Sequence, residues 1–196
     1  MSTLTDIVEF LDAELNNSAF KDDSNNGLQV ENSGRVWRIC VGVDASLPFF
    51  ERAANANADL LICHHGLSWG DSLKRISGLN YRRLKLLMDR DIALYGCHLP
   101  LDAHPRLGNN AQICKRLGLR HLTSFGTYHG MSIGFKGSLP KALPYETFKT
   151  RAASALNSDP LTMDFGKKTI RTVGVVSGGA ARSEERRVGK EGRSRW

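Results

Sequence analysis

Histidines follow two short apolar stretches of the chain, and imidazole is a side chain that binds metals. His64 and His65 come after the apolar run 58–63, while His98 and then Asp102 come after the apolar run 92–97. Neutral imidazole and carboxylate together are typical ligands of zinc, iron, manganese and nickel. These residues predict a metal site, but they do not indicate which metal it binds. The alternative is a polar crevice that binds no ion.

The two apolar runs predict strands of a parallel sheet. Both are short and lack polar alternation, as in strands that are covered on both faces. A segment with helical spacing precedes each run, and the order strand, helix, strand, helix, strand indicates right-handed crossovers. Because ligands of open α/β sheets bind beyond the carboxyl ends of the strands, we expect the three histidines and Asp102 to converge there.

The remaining patterns complete an α/β fold. An amphipathic helix begins near the N-terminus, with Ser2 or Thr5 as its cap, and Gly118 is expected to end a later helix. Asp22 to Gly27 is a cluster of turn-forming residues. The basic helix 82–90 is interpreted as a solvated face rather than a binding surface. We predict a buried strand over 36–43 and helices over 47–56, 82–90, 109–117 and 145–156.

Composition limits the class of protein. The chain has 196 residues and 41% hydrophobic content, which is enough for one domain or two closely packed lobes. Four cysteines lie inside apolar patterns without a CxxC spacing, so we expect buried thiols and no disulfides. Nothing resembles a membrane span or a signal peptide, which predicts a cytoplasmic protein without a membrane partner.

The last fifteen residues, 182–196, differ in character from the rest. They read RSEERRVGKEGRSRW, with six Lys or Arg and three Glu, and have no apolar period. Such a run is typical of a disordered tail, and its abrupt start also suits a foreign reading frame. We therefore place the domain over 1–181 and a separate tail over 182–196. Subtracting the tail's +3 from the net charge of +7 leaves +4, so the body favours no particular polyanion and a nucleic-acid partner is not expected.

Three motifs carry a resemblance to a known family. They are Asn26-Gly27-Leu28-Gln29-Val30, then His64-His65-Gly66 followed by Trp69, and Tyr95-Gly96-Cys97-His98-Leu99-Pro100-Leu101-Asp102-Ala103-His104-Pro105 followed by Gly108-Asn109-Asn110. The chain resembles the NIF-three-like dinuclear metal-centre family, also called GTP cyclohydrolase 1 type 2-like, and within it the bacterial YbgI-type branch. The resemblance extends from the N-terminus to about Gly179.

The resemblance implies a fold, a metal site and an assembly. It implies a two-lobed α/β protein with a parallel-rich sheet flanked by helices, assembled into a toroidal hexamer with two divalent metal ions per subunit. His64, His65 and Asp102 match the family's metal ligands. The family's further histidine and glutamate near its C-terminus have no counterpart here, since no histidine follows His129. The second lobe is accordingly expected to be largely missing.

Two classes of function follow from the resemblance. In the first, a metal pair about 3.5 to 4 Å apart activates water to attack a nucleotide or similar heterocycle. The family name implies ring opening of GTP with loss of formate, and His98 is then a proton shuttle. In the second class, the protein is a metal-binding scaffold without turnover. A small-molecule substrate belongs to the first class only.

Several neighbouring residues allow two interpretations each. His104 either lines the crevice or forms a polar turn before Pro105. Asn109 and Asn110 either cap a helix or hold a substrate. Trp69 either stacks on a purine or covers the core. Asp44 ends the first predicted strand near the pocket, and no ligand role is assigned to it.

Three expectations follow for the molecule. The ligand atoms of His64, His65 and Asp102 should lie within about 8 Å of one another. The chain should be poorly soluble or self-associating, because a missing lobe would leave an apolar surface of the sheet uncovered. It should also bind metal weakly and lack the family's activity, since the only carboxylates after Ala181 belong to the charged tail, at Glu184, Glu185 and Glu191.

Overall fold

The computed structural model of the chain describes residues 2–178. They divide into two compact units, one ending at Leu101 and the other beginning at Asp102. Each unit has its own sheet and its own hydrophobic core. The predicted tail, 182–196, lies outside the described residues, so its boundary stays a prediction.

The first unit contains a four-stranded, mostly parallel sheet in the order β1-β4-β3-β2. Strands β2, β3 and β4 are parallel, and β1 is antiparallel to β4. The predicted α/β class is therefore confirmed. The strands are β1 (Gly27–Val30), β2 (Ile39–Asp44), β3 (Leu60–His65) and β4 (Ala93–Gly96), and the helices are α1 (Leu4–Leu15), α2 (Leu47–Asn55) and α3 (Gly78–Asp89). The short α4 (Leu99–Ala103) contains the boundary between the two units in the sequence.

Helix α1 begins with a capping box. The Thr3 hydroxyl accepts from the Asp6 backbone N–H at 3.2 Å, and the Asp6 carboxylate accepts from the Thr3 N–H at 2.8 Å. This reciprocal pair satisfies two backbone donors at the helix start. The predicted cap, Ser2 or Thr5, was wrong, because only Thr3 has an acidic residue three positions later in helical register.

Helices cover the two faces of this sheet differently. Helices α2 and α3 pack on one face around the fully buried Phe50, Leu61 and Leu87. On the other face α1 packs over residues of β1, β3 and β4, with Leu60 and Tyr95 at the centre. Each such large side chain contributes about 1.5–3 kcal/mol by its burial. The predicted buried strands at 58–63 and 92–97 are confirmed as β3 and β4.

Strand β2 lies at the edge of the sheet and is not buried as predicted. Ile39, Val41 and Val43 are 44%, 74% and 61% exposed, and Trp37, which precedes them at the same spacing, is 73% exposed. The prediction was wrong because a run of apolar residues does not reveal whether a strand is central or marginal. The core on the α1 side contains residues of β1, β3 and β4, and the side chains of Ile39, Val41 and Val43 are not part of it.

The second unit contains a three-stranded antiparallel sheet in the order β5-β6-β7. Its long hairpin was not predicted from the sequence. The turn of the hairpin has His129 and Gly130 at φ 47° and 82°, as two-residue hairpin turns require. Gly118, at φ 67°, follows α5 as predicted. The elements are α5 (Asn109–Arg116), β5 (Arg120–Tyr128), β6 (Met131–Pro144), α6 (Tyr145–Leu156) and β7 (Thr169–Val175).

All four cysteines are free thiols, as expected. Cys63, Cys97 and Cys114 are buried, and desolvation raises the pKa of Cys63 to about 12. These thiols act as small core side chains rather than as nucleophiles. Among the residues described, no helix has the length and apolar character needed to cross a bilayer.

Candidate metal centre

Three histidines meet at the carboxyl ends of β3 and β4. His64, His65 and His98 each offer one ring nitrogen, and these nitrogens all lie within 4.8 Å of one another. Their ring centroids are 4.7 to 5.6 Å apart. The parallel register explains the meeting, because Cys63 is paired with Gly96 and the residues after both strands share one edge. The predicted convergence is confirmed for the histidines.

Two of these rings are held through Nδ1 by oxygen acceptors. His64 Nδ1 lies 3.0 Å from the Cys97 carbonyl oxygen, and His65 Nδ1 lies 2.7 Å from the Asp44 carboxylate. A neutral ring that donates from Nδ1 carries its lone pair on Nε2. Metal-binding histidines in proteins are oriented by this kind of hydrogen bond. Asp44 is therefore a positioning residue, although no ligand role was predicted for it.

His98 is held by a buried carboxylate. Its Nδ1 lies 2.9 and 3.1 Å from the two carboxylate oxygens of Asp22, whose side chain is 3% exposed. Burial on its own raises the pKa of Asp22, but hydrogen bonds from His98, Asn26 and the backbone N–H groups of Leu99 and Ser24 outweigh it and lower the pKa to about 2. Asp22 thus stays ionised behind the ring. From the sequence, Asp22 was assigned only to a turn.

The Asn-Gly-Leu-Gln motif braces the same region. The Asn26 side-chain oxygen accepts from the His98 backbone N–H at 2.7 Å. The Gln29 side-chain oxygen accepts from the N–H groups of Leu67 and Ser68 at 2.7 and 3.1 Å. These bonds tie the loop after β3 and the start of the segment after β4 to the N-terminal part of the chain. The motif carried the family resemblance, but its role was not predicted.

Two glycines leave room for Gln29. A Cβ atom on Gly66 would lie 2.4 Å from the Gln29 side chain, and one on Gly96 would lie 2.6 Å from it. Contacts this short do not occur between real side chains, so a larger residue would displace Gln29. The glycines in the His-His-Gly and Tyr-Gly-Cys segments are therefore explained by this close approach.

Trp69 lies against the histidines. Its ring centroid is 4.9 Å from that of His98, edge to face, and 5.9 Å from that of His65. Its indole N–H donates to the Gly66 carbonyl at 2.9 Å. Of the two interpretations offered for Trp69, a cover is closer to the structure, but it covers the cluster rather than the core.

The donor set fits a transition-metal ion. An ion lies about 2.0–2.1 Å from each imidazole nitrogen, so two nitrogens on one ion are at most about 4.2 Å apart. Small side-chain rotations would bring nitrogens within 4.8 Å to that separation. Three imidazoles and an open position are typical of catalytic zinc sites, and imidazole also suits iron, nickel and copper. The side chain of His65 is 41% exposed, which leaves access from solvent.

Asp102 belongs to the second unit and is held there. It is 2% exposed, and its Oδ1 accepts from the Asn109 amide at 2.9 Å and the Ser177 hydroxyl at 2.8 Å. Its backbone carbonyl accepts from the Asn110 amide at 3.2 Å. Its role as a metal ligand, and its predicted closeness to His64 and His65, stay predictions.

The neighbouring polar residues have structural partners. His104 Nδ1 accepts from the backbone N–H groups of Arg106 and Leu107 at 3.2 and 3.0 Å, which confirms the turn. The predicted capping role of Asn109 and Asn110 was wrong, because Gly108 is the N-cap of α5. Asn110 is fully buried and donates to the Ile133 carbonyl at 2.7 Å.

The chain matches a known family over nearly its whole length. The sequence model of Duf34/NIF3 (NGG1p interacting factor 3) matches residues 2–191. A Pyrococcus horikoshii protein named GTP cyclohydrolase 1 type 2 homolog is 44% identical over 175 residues, which is 89% of this chain and 70% of that protein. A Deinococcus radiodurans protein of the same name is 40% identical over 90% of this chain and 66% of its own length.

Solved structures show the same fold. Protein ybgI, described as of unknown function, superposes with a TM-score of 0.83 at 35% identity, covering 97% of this chain and 75% of that chain. A Thermus thermophilus protein superposes with a TM-score of 0.85 at 34% identity, covering 94% of this chain and 74% of that chain. The chain thus spans about three quarters of each of these structures.

Proposed function

This chain belongs to the Duf34/NIF3 family, and we propose that it is a metal-dependent hydrolase that acts on a nucleotide or a similar heterocycle. The observation that carries the proposal is the cluster of His64, His65 and His98. Each of these rings is held through Nδ1 by an oxygen acceptor, as expected of metal ligands.

The residues of the site have different proposed roles. The three histidines would hold the ion through Nε2, and the carboxylates of Asp22 and Asp44 would keep the rings of His98 and His65 in the metal-binding tautomer. A bound divalent ion supplies Lewis acidity and lowers the pKa of water to about 7. Trp69 shields one side of the cluster from solvent. His98 is thus a ligand here rather than the proton shuttle considered from the sequence.

The substrate class comes from the relatives. Their name, GTP cyclohydrolase 1 type 2 homolog, supports a purine nucleotide as substrate and hydrolytic ring opening with release of formate as the reaction. The proposal also includes the toroidal hexamer that the family resemblance implies and a cytoplasmic location. The metal pair that the resemblance implies is proposed for the intact family site, which needs ligands beyond the three histidines of this chain.

A metal titration coupled to a turnover assay tests the proposal. Zinc or manganese is titrated calorimetrically into the chain and into His65→Ala, and formate release from GTP and a nucleotide panel is then measured. Because His98 adds a third imidazole to the site, we expect the unsubstituted chain to bind metal and to turn over substrate, against the expectation from the sequence. We expect His65→Ala to lose both. His129→Asn, which removes an exposed imidazole outside the cluster and suits the positive φ there, should match the unsubstituted chain. Unchanged metal affinity in His65→Ala would refute the assignment of the cluster.

The exposed apolar residues of β2 favour a second candidate, a metal-binding scaffold without turnover. Ile39, Val41 and Val43 give this edge strand an apolar face that suits a protein partner. Tight metal binding together with no formate release across the whole nucleotide panel would support the scaffold over the hydrolase.

A further inference from the structure

A pocket of about 280 Å³ opens beside the metal centre. It shares His65 and Asp44 with that centre, and the start of α2 and one side of α3 complete its wall. Its size is close to the lower end, about 300 Å³, of pockets that bind small molecules. A molecule in this pocket would reach the exposed side of His65, so the pocket is placed to hold part of a substrate.

Arg83 from α3 gives the pocket a positive charge. Its Nη1 donates to the Ala45 carbonyl and its Nη2 donates to the Asn80 side-chain oxygen, both at 2.9 Å. Both acceptors are neutral, and Arg83 forms no ion pair within residues 2–178. Its Nε is buried without a hydrogen-bond partner there. The guanidinium is thus held in place while its charge and several of its N–H donors are not matched.

The start of α2 adds a backbone donor to the same wall. Ser46 is the N-cap of this nine-residue helix, but its side chain makes no capping hydrogen bond. The first N–H groups of a helix have no partner within the helix, and the helix dipole places partial positive charge there. The Ser46 N–H already donates to the Asp44 carbonyl at 2.8 Å, and Pro48 has no N–H, so the backbone donor that lines the pocket is the N–H of Leu47. Guanidinium and helix start together are complementary to an oxyanion.

We propose that this pocket binds a phosphate group of the substrate, with Arg83 and the N-terminus of α2 as its donors. A planar guanidinium pairs with two oxygens of one phosphate, and Arg83 is already oriented by Ala45 and Asn80. Asp44 is the one carboxylate among the described residues of the wall, and it accepts the hydrogen bond of His65. That this phosphate belongs to the substrate of the metal centre rests on the function proposed above; the binding of phosphate does not.

Calorimetry on the metal-free chain tests the pocket separately from the metal. Inorganic phosphate, GMP and guanosine are titrated into the chelator-treated chain, into Arg83→Gln and into Arg83→Lys. Arg82→Gln is the matched control, because Arg82 is the exposed neighbour on the same helix. We expect phosphate and GMP to bind to the unsubstituted chain and guanosine not to bind. Their affinity should fall at least tenfold in Arg83→Gln and to an intermediate value in Arg83→Lys. Arg82→Gln should bind them as the unsubstituted chain does.

The outcomes separate the two proposals. Equal phosphate affinity in the unsubstituted chain, Arg83→Gln and Arg82→Gln would overturn the proposal that this pocket binds phosphate. Undetectable phosphate binding to a folded chain would overturn it as well. Normal zinc affinity in Arg83→Gln is expected in either case, since the Arg83 side chain bonds to Ala45 and Asn80 rather than to a histidine. If the unsubstituted chain binds phosphate but shows no zinc binding or no turnover, the proposed hydrolase is overturned and the proposed phosphate site is not.

Discussion

The three histidines are oriented by acceptors of different strength. His64 is held by a neutral backbone carbonyl, His65 by a carboxylate that is 68% exposed, and His98 by one that is 3% exposed. Water screens an exposed ion pair far more than a buried one. The pairing of Asp22 with His98 is therefore expected to matter most for metal affinity.

Asp22→Asn should weaken metal binding by about 10–100-fold, the usual effect of removing a group that orients a ligand. The amide replaces an ionised acceptor behind His98 and also changes the bonds to Asn26 and Leu99. Zinc titration against Asp23→Asn, a substitution at the exposed neighbour, measures the effect. An affinity equal to that of the control would mean that Asp22 supports only the fold.

Gly66→Ala should lower the free energy of unfolding by about 1–3 kcal/mol, because its Cβ would displace the Gln29 amide and break the hydrogen bonds of that amide to Leu67 and Ser68. Urea denaturation measures the change, and Gly166→Ala is the control, since a Cβ there meets no atom within 4 Å. In a Gln29→Ala background the same substitution should cost less, as a double-mutant cycle would detect. Equal costs in both backgrounds would contradict the explanation of this glycine.

At the scale of elements, the two neighbours of β3 have opposite surroundings. Strand β4 is buried along its whole length, whereas β2 ends the sheet and exposes alternate apolar residues. Natural edge strands usually carry charges or bulges that prevent pairing with another chain. The register of β2 with β3 is regular, and its exposed face lacks such charges. This face therefore favours association.

Val41→Lys should reduce self-association of the chain, because Val41 is 74% exposed at the centre of the β2 face. Sizing chromatography with light scattering should show large species for the unsubstituted chain and smaller ones for the variant. Leu161→Lys adds the same charge at a 94% exposed loop residue and should change nothing. A clean, stable monomer before any substitution would argue against both the ring and the role of β2.

At the scale of the whole molecule, the three clustered histidines all belong to the first unit, while Asp102 belongs to the second. We predict that the chain binds one zinc ion per molecule, since three imidazoles suffice for one ion and a metal pair needs further donors. Calorimetry and elemental analysis of the loaded chain measure this ratio. Two tight sites would show that other residues, such as Asp102 or His104, complete the centre.

Local patterns in the sequence were enough to predict many of the helices and strands of this fold. The apolar runs before His64 and His98 predicted β3 and β4, and helical spacing predicted α6 over 145–156 with both ends correct. Burial of a strand or one face of a helix imposes a period that is visible in a short window. Because residues after parallel strands share an edge, the sequence also sufficed to predict that the histidines meet.

Only the tertiary structure decided which distant groups support these histidines and which strand is exposed. Asp22 and His98 are 76 positions apart, and Gln29 reaches Gly66 and Gly96 from another strand. The exposed face of β2 and the hairpin of β5 and β6 likewise depend on what packs beside them. A periodic pattern reports whether a residue is buried, but it does not name the partner, because partners are set by how the elements pack.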